Sequence, residues 1–350
     1  MSSHVPTRRE PDRVAPATAS APHGTPSRMV LALAAGAAVV AALVVVGLVS
    51  PAPALPTAAQ DGLTLATSVL VESLPFVVLG VLLSIIVQVW VPPGAIERWM
   101  PRRAWARRAV LSLLGMLIPV CECGNVPFAR GLLMRGFSVP ETLTFLVAAP
   151  IVNPIVIITT HQAFGFDDGV LVARLVGGYL IANLIGWLYS RHPASDVLLT
   201  DRFRATCAVE HDHGPAGARG RRSLAQFVVE LRAVMPALVI GSALAGVVQV
   251  LVPRDALLAI GSNPALSIVA MVALAMIVSI CSNVDSFFAL SFAATFTPGS
   301  IVAFLLVGPL VDVKMLALLQ TTFRGRVLTV MVVVVVLAAV AIGGAVNLLA

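Results

Sequence analysis

The part of the chain that decides its fold lies at residues 118–127 and reads Ile-Pro-Val-Cys-Glu-Cys-Gly-Asn-Val-Pro. Two cysteines and a carboxylate occur here between long apolar stretches. Proline and glycine interrupt a helix, and in a bilayer the backbone groups that they free must find partners inside the protein. Polar side chains at that depth are costly and usually serve a function. The stretch therefore predicts a broken helix around a ligand site. A related stretch, Ser-Ile-Cys-Ser-Asn-Val-Asp, follows at 279–285.

The composition assigns the chain to the membrane. Of its 350 residues, 58% are hydrophobic and 11% are charged, whereas a soluble domain has about 25% charged residues. These values predict an all-α polytopic membrane protein in contact with the lipid bilayer. The net charge of +6 comes from arginines between apolar spans, where they set topology, so we expect no nucleic-acid partner. Four cysteines are too few for a disulfide framework.

The hydropathy pattern predicts five regions. They are a disordered cytoplasmic tail at 1–28, an additional N-terminal helix with an outer loop at 29–61, a first repeat at 62–190, a cytoplasmic loop at 191–223 and a second repeat at 224–350. For the apolar run 29–49 a cleaved signal peptide is the alternative. The arginines before this run predict a cytoplasmic N-terminus.

The apolar stretches predict about seven to nine membrane segments in total. After the first one they lie near 63–91, 109–136, 139–160, 169–190, 224–252, 264–296, 299–320 and 326–349. Two topologies remain open for the broken segment 109–136. A re-entrant hairpin keeps the arginines of 191–223 in the cytoplasm, whereas a full crossing places them outside, so the charge rule favours the hairpin.

The two halves resemble each other at a nearly constant offset. Val-Gln-Val-Trp-Val-Pro at 87–92 matches Val-Gln-Val-Leu-Val-Pro at 248–253, and Cys-Gly-Asn-Val at 123–126 matches Cys-Ser-Asn-Val at 281–284. In the hairpin topology the halves would cross the membrane in opposite directions. Inverted repeats of this kind, with broken helices that meet near the midplane, are typical of secondary transporters.

Three membrane cysteines are candidate ligands. Cys121 and Cys123 flank a carboxylate, and Gly124 and Pro127 are the predicted helix-break residues after them. Thiolates suit Cu(I), Zn(II) and thiophilic metalloids, and in an unwound chain the two thiols could converge, with Cys281 as a third. A structural zinc site prefers four ligands, so three thiols favour weaker, reversible binding. The alternative is that these cysteines only fill space.

Carboxylates and amides accompany the thiols. Glu122 and Asp285 would titrate upward in a low dielectric and could carry a coupling proton, or could simply bind exposed backbone at the breaks. Asn125 and Asn283 are related by the repeat. We expect these amides to brace broken helix ends rather than to contact the solute.

A second polar region follows each cysteine stretch. Pro150, Asn153 and Pro154 in the first half correspond to Pro309 and Asp312 in the second. These residues predict a kink and a polar path.

Other charged residues lie within or near the spans. Lys314 is close enough in sequence to pair with Asp312 or to line the path. Glu72, Glu230 and Arg232 lie near the predicted span ends, where snorkelling towards water is the simplest expectation.

A weaker candidate lies in the loop 191–223, where Cys207, His211 and His213 have C-x3-H-x-H spacing. Thiol and imidazole groups together can hold a metal ion. Unrelated histidines in a polar loop are the alternative, and they are more common.

The broken segment also carries a family resemblance. Cys-Glu-Cys-Gly-Asn-Val-Pro at 121–127, followed by Arg-Gly-Leu at 130–132 and Pro-Ile-Val-Asn-Pro at 150–154, resembles a bacterial family of predicted permeases. That family includes the organoarsenical efflux permeases and the YraQ-like proteins. The resemblance covers roughly residues 62–349.

The resemblance implies a permease of the bacterial inner membrane, which in some members exports trivalent organic arsenicals through cysteine contacts. Cys121 and Cys123 occupy the motif of the family, and Cys281 corresponds less closely. Membership indicates transport more firmly than it fixes arsenic as the cargo.

The leading hypothesis is a secondary transporter, without enzymatic activity or a cofactor, that exports a thiophilic solute or soft metal ion. No phosphate-binding loop of the P-loop type occurs, so an ion gradient or a partner would drive transport. A membrane thiol oxidoreductase that uses Cys121 and Cys123 is one alternative. A non-transporting membrane subunit or sensor is another. The sequence also allows a homo-oligomer.

Overall fold

The structure is a computed structural model that describes residues 56–92, 94–118, 120–166, 169–193, 195–209, 219–251 and 264–349. The predicted tail 1–28 and the predicted span 29–49 lie outside the described residues. Within the described ranges the regular structure is helical, apart from one isolated antiparallel bridge between Leu199 and Phe323. The all-α prediction is therefore confirmed for this part of the chain.

The helices of the first half, in chain order, are α1 (Thr57–Ile85, continued by a π-helix at Ile86–Trp90), α2 (Ala95–Trp99), α3 (Ala104–Leu113, followed by a 3-10 turn at Leu114–Leu117), α4 (Glu122–Met134), α5 (Val139–Ala148), α6 (Pro154–Phe164) and α7 (Val170–Ser190). After a 3-10 turn at Ser195–Leu198 come α8 (Asp201–Val209), α9 (Arg219–Leu251), α10 (Pro264–Val278), α11 (Asp285–Leu290), α12 (Pro298–Val307), α13 (Val313–Leu319) and α14 (Gly325–Leu349).

Among the described residues, four stretches of helix are long and apolar enough to cross a bilayer. They are Thr57–Trp90, Val170–Ser190, Gly220–Leu251 and Gly325–Leu349. At about 1.5 Å per residue, even the shortest of them reaches the roughly 30 Å of a hydrocarbon core.

The remaining apolar segments are pairs of short helices. The predicted breaks in 109–136 and 264–296 are present, at 118–121 and 279–284. The segments 139–160 and 299–320 are also broken, at 149–153 and 308–312. These breaks lie where Pro150, Asn153, Pro154, Pro309 and Asp312 predicted a kink.

Two side chains explain the additional breaks. Asn153 accepts a hydrogen bond from the Ile155 N–H at the start of α6, and Asp312 accepts one from the Met315 N–H at the start of α13. A capping side chain starts a new helix where it lies. Pro154 reinforces the first of these breaks, because a residue that precedes a proline avoids the helical conformation.

The order of helices in the first half recurs in the second. The series α1, α3, α4, α5, α6, α7 is followed by α9, α10, α11, α12, α13, α14, with breaks at the corresponding places. Packing recurs as well: α5 packs on α7 as α12 packs on α14, and α4 contacts α13 as α11 contacts α6. In each half, the helix that follows the cysteine-bearing break therefore contacts a helix of the other half.

Helix α4 lies in the interior, and a close backbone contact holds it there. A Cβ atom on Gly80 of α1 would lie 2.0 Å from the Gly124 carbonyl oxygen, and one on Gly124 would lie 2.3 Å from the Phe76 carbonyl oxygen. Only glycine permits this approach. Gly124 and Pro127, predicted as helix-break residues, in fact lie inside α4, because the break precedes them at 118–121.

Candidate functional site

Glu122 is the first residue of α4 and is fully buried. Its carboxylate accepts hydrogen bonds from the N–H and hydroxyl groups of Ser282, at 3.3 and 2.8 Å. The ammonium group of Lys314 lies 3.2 Å from the other carboxylate oxygen. Glu122 therefore binds both the second cysteine stretch and the start of α13, which are far away in sequence.

Two thiols lie beside this carboxylate. The Sγ atoms of Cys121 and Cys281 and an oxygen of Glu122 all lie within 4.8 Å of one another, and all three residues are buried. The Cys281 thiol donates to Glu122 at 3.7 Å. We call these three residues the thiol–carboxylate site. Two sulfur ligands and one oxygen ligand in this arrangement fit a soft cation.

Cys123 has a different environment. Its thiol lies beside that of Cys121 but donates to the hydroxyl of Ser73 at 3.5 Å, and it is not one of the three clustered ligands. Helix α4 begins at Glu122, and side chains two positions apart on a helix do not face each other. The sequence pattern thus identified Cys121 and Cys281 as ligand candidates but did not reveal how Cys123 differs from them.

Lys314 and Asp312 are the other charged residues next to the thiol–carboxylate site. The Lys314 ammonium lies 3.8 Å from Asp312 as well as 3.2 Å from Glu122, and both partners are buried. Two carboxylates share one ammonium group, so with neutral thiols the cluster has one excess negative charge. That charge favours a cationic occupant.

Several buried polar atoms on or next to the two breaks have no hydrogen-bond partner among the described residues. Both amide atoms of Asn125 are orphaned, although the residue is fully buried, and so are Oγ of Ser279 and Oδ1 of Asn283. Asn125 lies one turn beyond Cys121 on the same face of α4, since its N–H donates to the Cys121 carbonyl. Buried polar groups are normally satisfied. These atoms therefore mark a place for water or solute.

Other residues brace the helix ends. We expected Asn125 and Asn283 to do so, but the Asn153 amide donates to the Val120 carbonyl at 2.9 Å and also caps α6. Asp312 caps α13. The bracing expectation was wrong for Asn125, whose amide atoms bind nothing in the described part of the chain.

The predicted path residues lie at these breaks. Pro150 and Pro309 are in the turns after α5 and α12, and Pro154 begins α6. Proline suits these positions because it lacks an N–H group that would need a partner.

Asp285 does not join the thiol–carboxylate cluster. It pairs with Arg174 of α7 through two contacts of 3.0 and 2.5 Å, and Arg174 also donates to Thr160 and Ser286 at 2.8 Å each. We call Arg174, Asp285, Thr160 and Ser286 the Arg174 network. Sequence reasoning missed Arg174, although a single arginine within an apolar 21-residue span is itself a signal.

A second buried ion pair joins α4 to α9. Arg130 lies 2.8 Å from Glu230 and donates to the Thr321 carbonyl and the Thr322 hydroxyl. Its guanidinium group also stacks over the Phe203 ring at 4.4 Å. We call these five residues the Arg130 network. The expectation that Glu230 snorkels was wrong, because its side chain is fully buried against Arg130.

Helix α7 relates the positions of the two networks. Arg174 is in the second turn of this helix. At its other end, the Tyr189 hydroxyl donates to the Val327 carbonyl, close in sequence to Thr322 of the Arg130 network. By sequence, the Arg130 network is therefore nearer to the contact at the Tyr189 end of α7 than to the Arg174 end.

The predicted loop site is only partly described. Cys207 lies half-buried on α8. His211 and His213 lie outside the described residues.

Comparison with known proteins now identifies the family. Residues 59–348 match the family ArsP_1, which is described as predicted permease. The chain belongs to this family. The match confirms the resemblance that residues 121–127 indicated.

Three curated relatives show the extent of the similarity. UPF0718 protein YcgR of Bacillus subtilis is 35% identical over 282 residues, which cover 77% of this chain and 92% of that protein. A Streptococcus mutans protein named "Putative two-component membrane permease complex subunit" is 33% identical over 276 residues, 78% of this chain and 90% of that protein. UPF0718 protein YraQ of Escherichia coli is 30% identical over 118 residues, 33% of this chain and 32% of that protein. No solved structure matches.

These findings set the class of the protein. The family match and the four apolar helices identify a multi-pass membrane protein. The family description is that of a transporter rather than an enzyme.

Proposed function

We propose that this permease is a secondary transporter that carries a thiophilic solute, either a trivalent organoarsenical or a soft metal ion. The observation that carries the proposal is the thiol–carboxylate site, in which three ligand atoms from two broken helices lie within 4.8 Å of one another. The first half of the chain supplies Cys121 and Glu122, and the second half supplies Cys281. A change in the relative position of the halves would therefore assemble or disperse the ligands.

The donor set defines the cargo class. Sulfur ligands select soft cations and trivalent metalloids over Mg²⁺ or Ca²⁺, which prefer oxygen. Three ligands leave a coordination position open, unlike a closed structural zinc site with four. The orphaned amide of Asn125 gives the cargo or its hydration shell a polar neighbour.

Lys314 supports a release mechanism. A cationic cargo at Glu122 would replace the charge that Lys314 now provides at 3.2 Å. Asp312, 3.8 Å from the ammonium group, can retain it while the cargo is bound. For a soft metal ion, return of Lys314 to Glu122 would then expel the cargo, so loading and release would be an exchange of two cations.

The two buried networks support alternating access. Arg174 lies near the start of α7, and the other end of α7 contacts Val327, five residues after Thr322 of the Arg130 network. Opening one network while the other stays closed would expose the site to one side at a time. Inverted repeats would provide this movement, because each half would present the same broken helices from opposite directions. Export as the direction of transport rests on the family resemblance.

A partner subunit is the natural extension of this proposal. One relative carries the name of a two-component membrane permease complex subunit. An accessory protein could supply energy coupling or deliver cargo to the loop 191–209.

Burial disfavours the oxidoreductase alternative. Cys121 and Cys281 are 1% and 3% exposed, so a soluble redox partner could not reach them without a conformational change. Thiol–disulfide exchange requires such access.

The test is counterflow in proteoliposomes with a trivalent methyl- or phenylarsenical, arsenite and Zn(II). We expect flux of at least one cargo in wild type and its loss in Cys121→Ser and Cys281→Ser, while Cys123→Ser retains most of it. Equal flux in all variants would contradict the thiol–carboxylate site. Flux that appears only after a second subunit is co-expressed would place this chain in a two-component permease.

A further inference from the structure

A cavity of about 470 Å³ lies where α9, α13 and the segment 200–206 meet. One side of its wall is polar and includes the guanidinium groups of Arg130, Arg202 and Arg232. The lining also includes apolar residues of α9, such as Ala237 and Ile240, which follow Arg232 along the same helix. The cavity is separate from the thiol–carboxylate site, since no residue of that site lines it.

The arginines leave this cavity with unbalanced positive charge. Glu230 neutralises Arg130 at 2.8 Å. Arg202 and Arg232 are exposed, and neither pairs with an acidic side chain in the described parts of the chain. Two uncompensated guanidinium groups beside one cavity favour an anionic ligand with several acceptor oxygens.

The depth of the cavity matches a membrane surface. From Ala233 to Leu251 helix α9 carries no charged residue, a length of about 28 Å at 1.5 Å per residue. Arg232 therefore marks the boundary where the hydrocarbon core ends. Arg202 lies on α8 in the predicted cytoplasmic loop, so the two groups would hold a ligand at headgroup level.

The apolar wall continues along the outside of α9. Ile240, Leu244 and Val247 follow one another at helical spacing and are 64%, 50% and 50% exposed. A small inorganic anion would leave this surface unused. A molecule with an anionic head and a hydrocarbon tail would cover both the arginines and this surface.

We propose that the cavity binds an anionic phospholipid of the phosphatidylglycerol type. Its phosphate lies between Arg202 and Arg232, and an acyl chain lies along Ile240, Leu244 and Val247. Basic pockets between membrane helices on the cytoplasmic side recognise anionic lipid heads in this way. A zwitterionic lipid would bring its own cation towards the guanidinium groups and bind less well.

The test measures lipid binding to the purified full chain by native mass spectrometry, with phosphatidylglycerol and phosphatidylcholine of equal chain length. We expect wild type to prefer phosphatidylglycerol and the variant Arg202→Gln/Arg232→Gln to lose about thirtyfold in affinity for it. Arg326→Gln is the matched control, because Arg326 is an exposed arginine at the start of α14 outside the cavity. This control should bind like wild type.

Three outcomes would overturn the proposal. They are equal affinity of wild type for the two lipids, an unchanged preference in the double variant, and displacement of the lipid by inorganic phosphate at comparable concentration. Because both side chains are exposed, we expect the double variant to fold, and thermal unfolding in phosphatidylcholine checks this. The readout does not require transport, so it remains informative whether or not the proposed cargo is correct.

Discussion

Glu122 and Asp285 occupy similar positions in the two halves of the molecule but have different surroundings. Each is the first residue of a helix that follows a break, and each is buried against a buried cation. Arg174 contacts both carboxylate oxygens of Asp285, and we call these two residues the saturated pair. Glu122 instead divides its oxygens among Ser282, Lys314 and a thiol. We call Glu122 and Lys314 the shared pair. The saturated pair is suited to hold the fold, and the shared pair is suited to exchange partners.

The helices that carry these acids differ too. Residues 122–133 of α4 are all buried, and α1 packs directly on its backbone at Gly124. Helix α11 packs on α6 and α12, and Phe287 and Leu290 remain 46% and 42% exposed. Glu122 therefore belongs to the more enclosed of the two helices.

The largest expected effect is on the saturated pair. Arg174→Met leaves Asp285 buried without a cation, which should cost about 3–5 kcal/mol of stability. Thermal unfolding in detergent measures this cost, with the exposed Arg191→Met as control. A variant that melts like wild type would show that the Arg174 network does not hold the fold.

The shared pair should respond differently to cargo. Lys314→Met removes the ammonium group from Glu122 and should destabilise the protein by a similar amount. A soft cation such as Zn(II) or Cd(II) should restore much of this loss, because it can pair with Glu122 and the thiols. The same ions should not rescue Arg174→Met. Rescue of both variants, or of neither, would remove the distinction between the two acids.

Ligand substitutions should lower cargo affinity without a comparable loss of fold. Loss of a residue that only supports a metal ligand typically weakens metal binding by about 10–100-fold. We expect Cys281→Ser and Glu122→Gln, which remove proposed ligands, to weaken soft-metal binding by more than this. Isothermal titration on purified protein measures this affinity. Unchanged affinity in both variants would show that the cluster does not bind metal.

Cys123 should show a smaller effect. Its thiol donates to Ser73, so Cys123→Ser keeps a donor at that position and should change stability by about 1 kcal/mol or less. Cargo affinity should fall only a few-fold. A loss as large as that of Cys281→Ser would make Cys123 a direct ligand, as its sequence motif suggests.

The smallest expected effect concerns the exposed carboxylate of Asp201 and its two arginine partners. Hydrogen bonds from Arg204 and Arg324 lower the pKa of Asp201 below its ordinary value of 3.8. Asp201 therefore contributes stability above that value, and the contribution is lost as the pH falls below it. We expect Asp201→Asn to remove this part of the acid dependence, measured as the unfolding temperature between pH 6 and pH 3. The change should be small and should decrease further in high salt.

The sequence by itself determined much of this protein. Apolar run lengths predicted an all-helical membrane chain. Proline and glycine predicted a break near Cys121, and the similarity of residues 281–284 to residues 123–126 predicted a break near Cys281. The motif at residues 121–127 also predicted the permease family. The same motif predicted the break at Gly124 and Pro127, but the helix already begins at Glu122. The exact boundary depends on the close packing of α1 against α4.

Only the tertiary structure decided which groups meet. Glu122 reaches Cys281 across 159 residues and Lys314 across 192, and Arg174 reaches Asp285 across 111. Contacts of this range are set by how the two halves pack, which no local pattern encodes. The same packing sets the Cys123 thiol against Ser73 and gives Glu122 and Asp285 different partners.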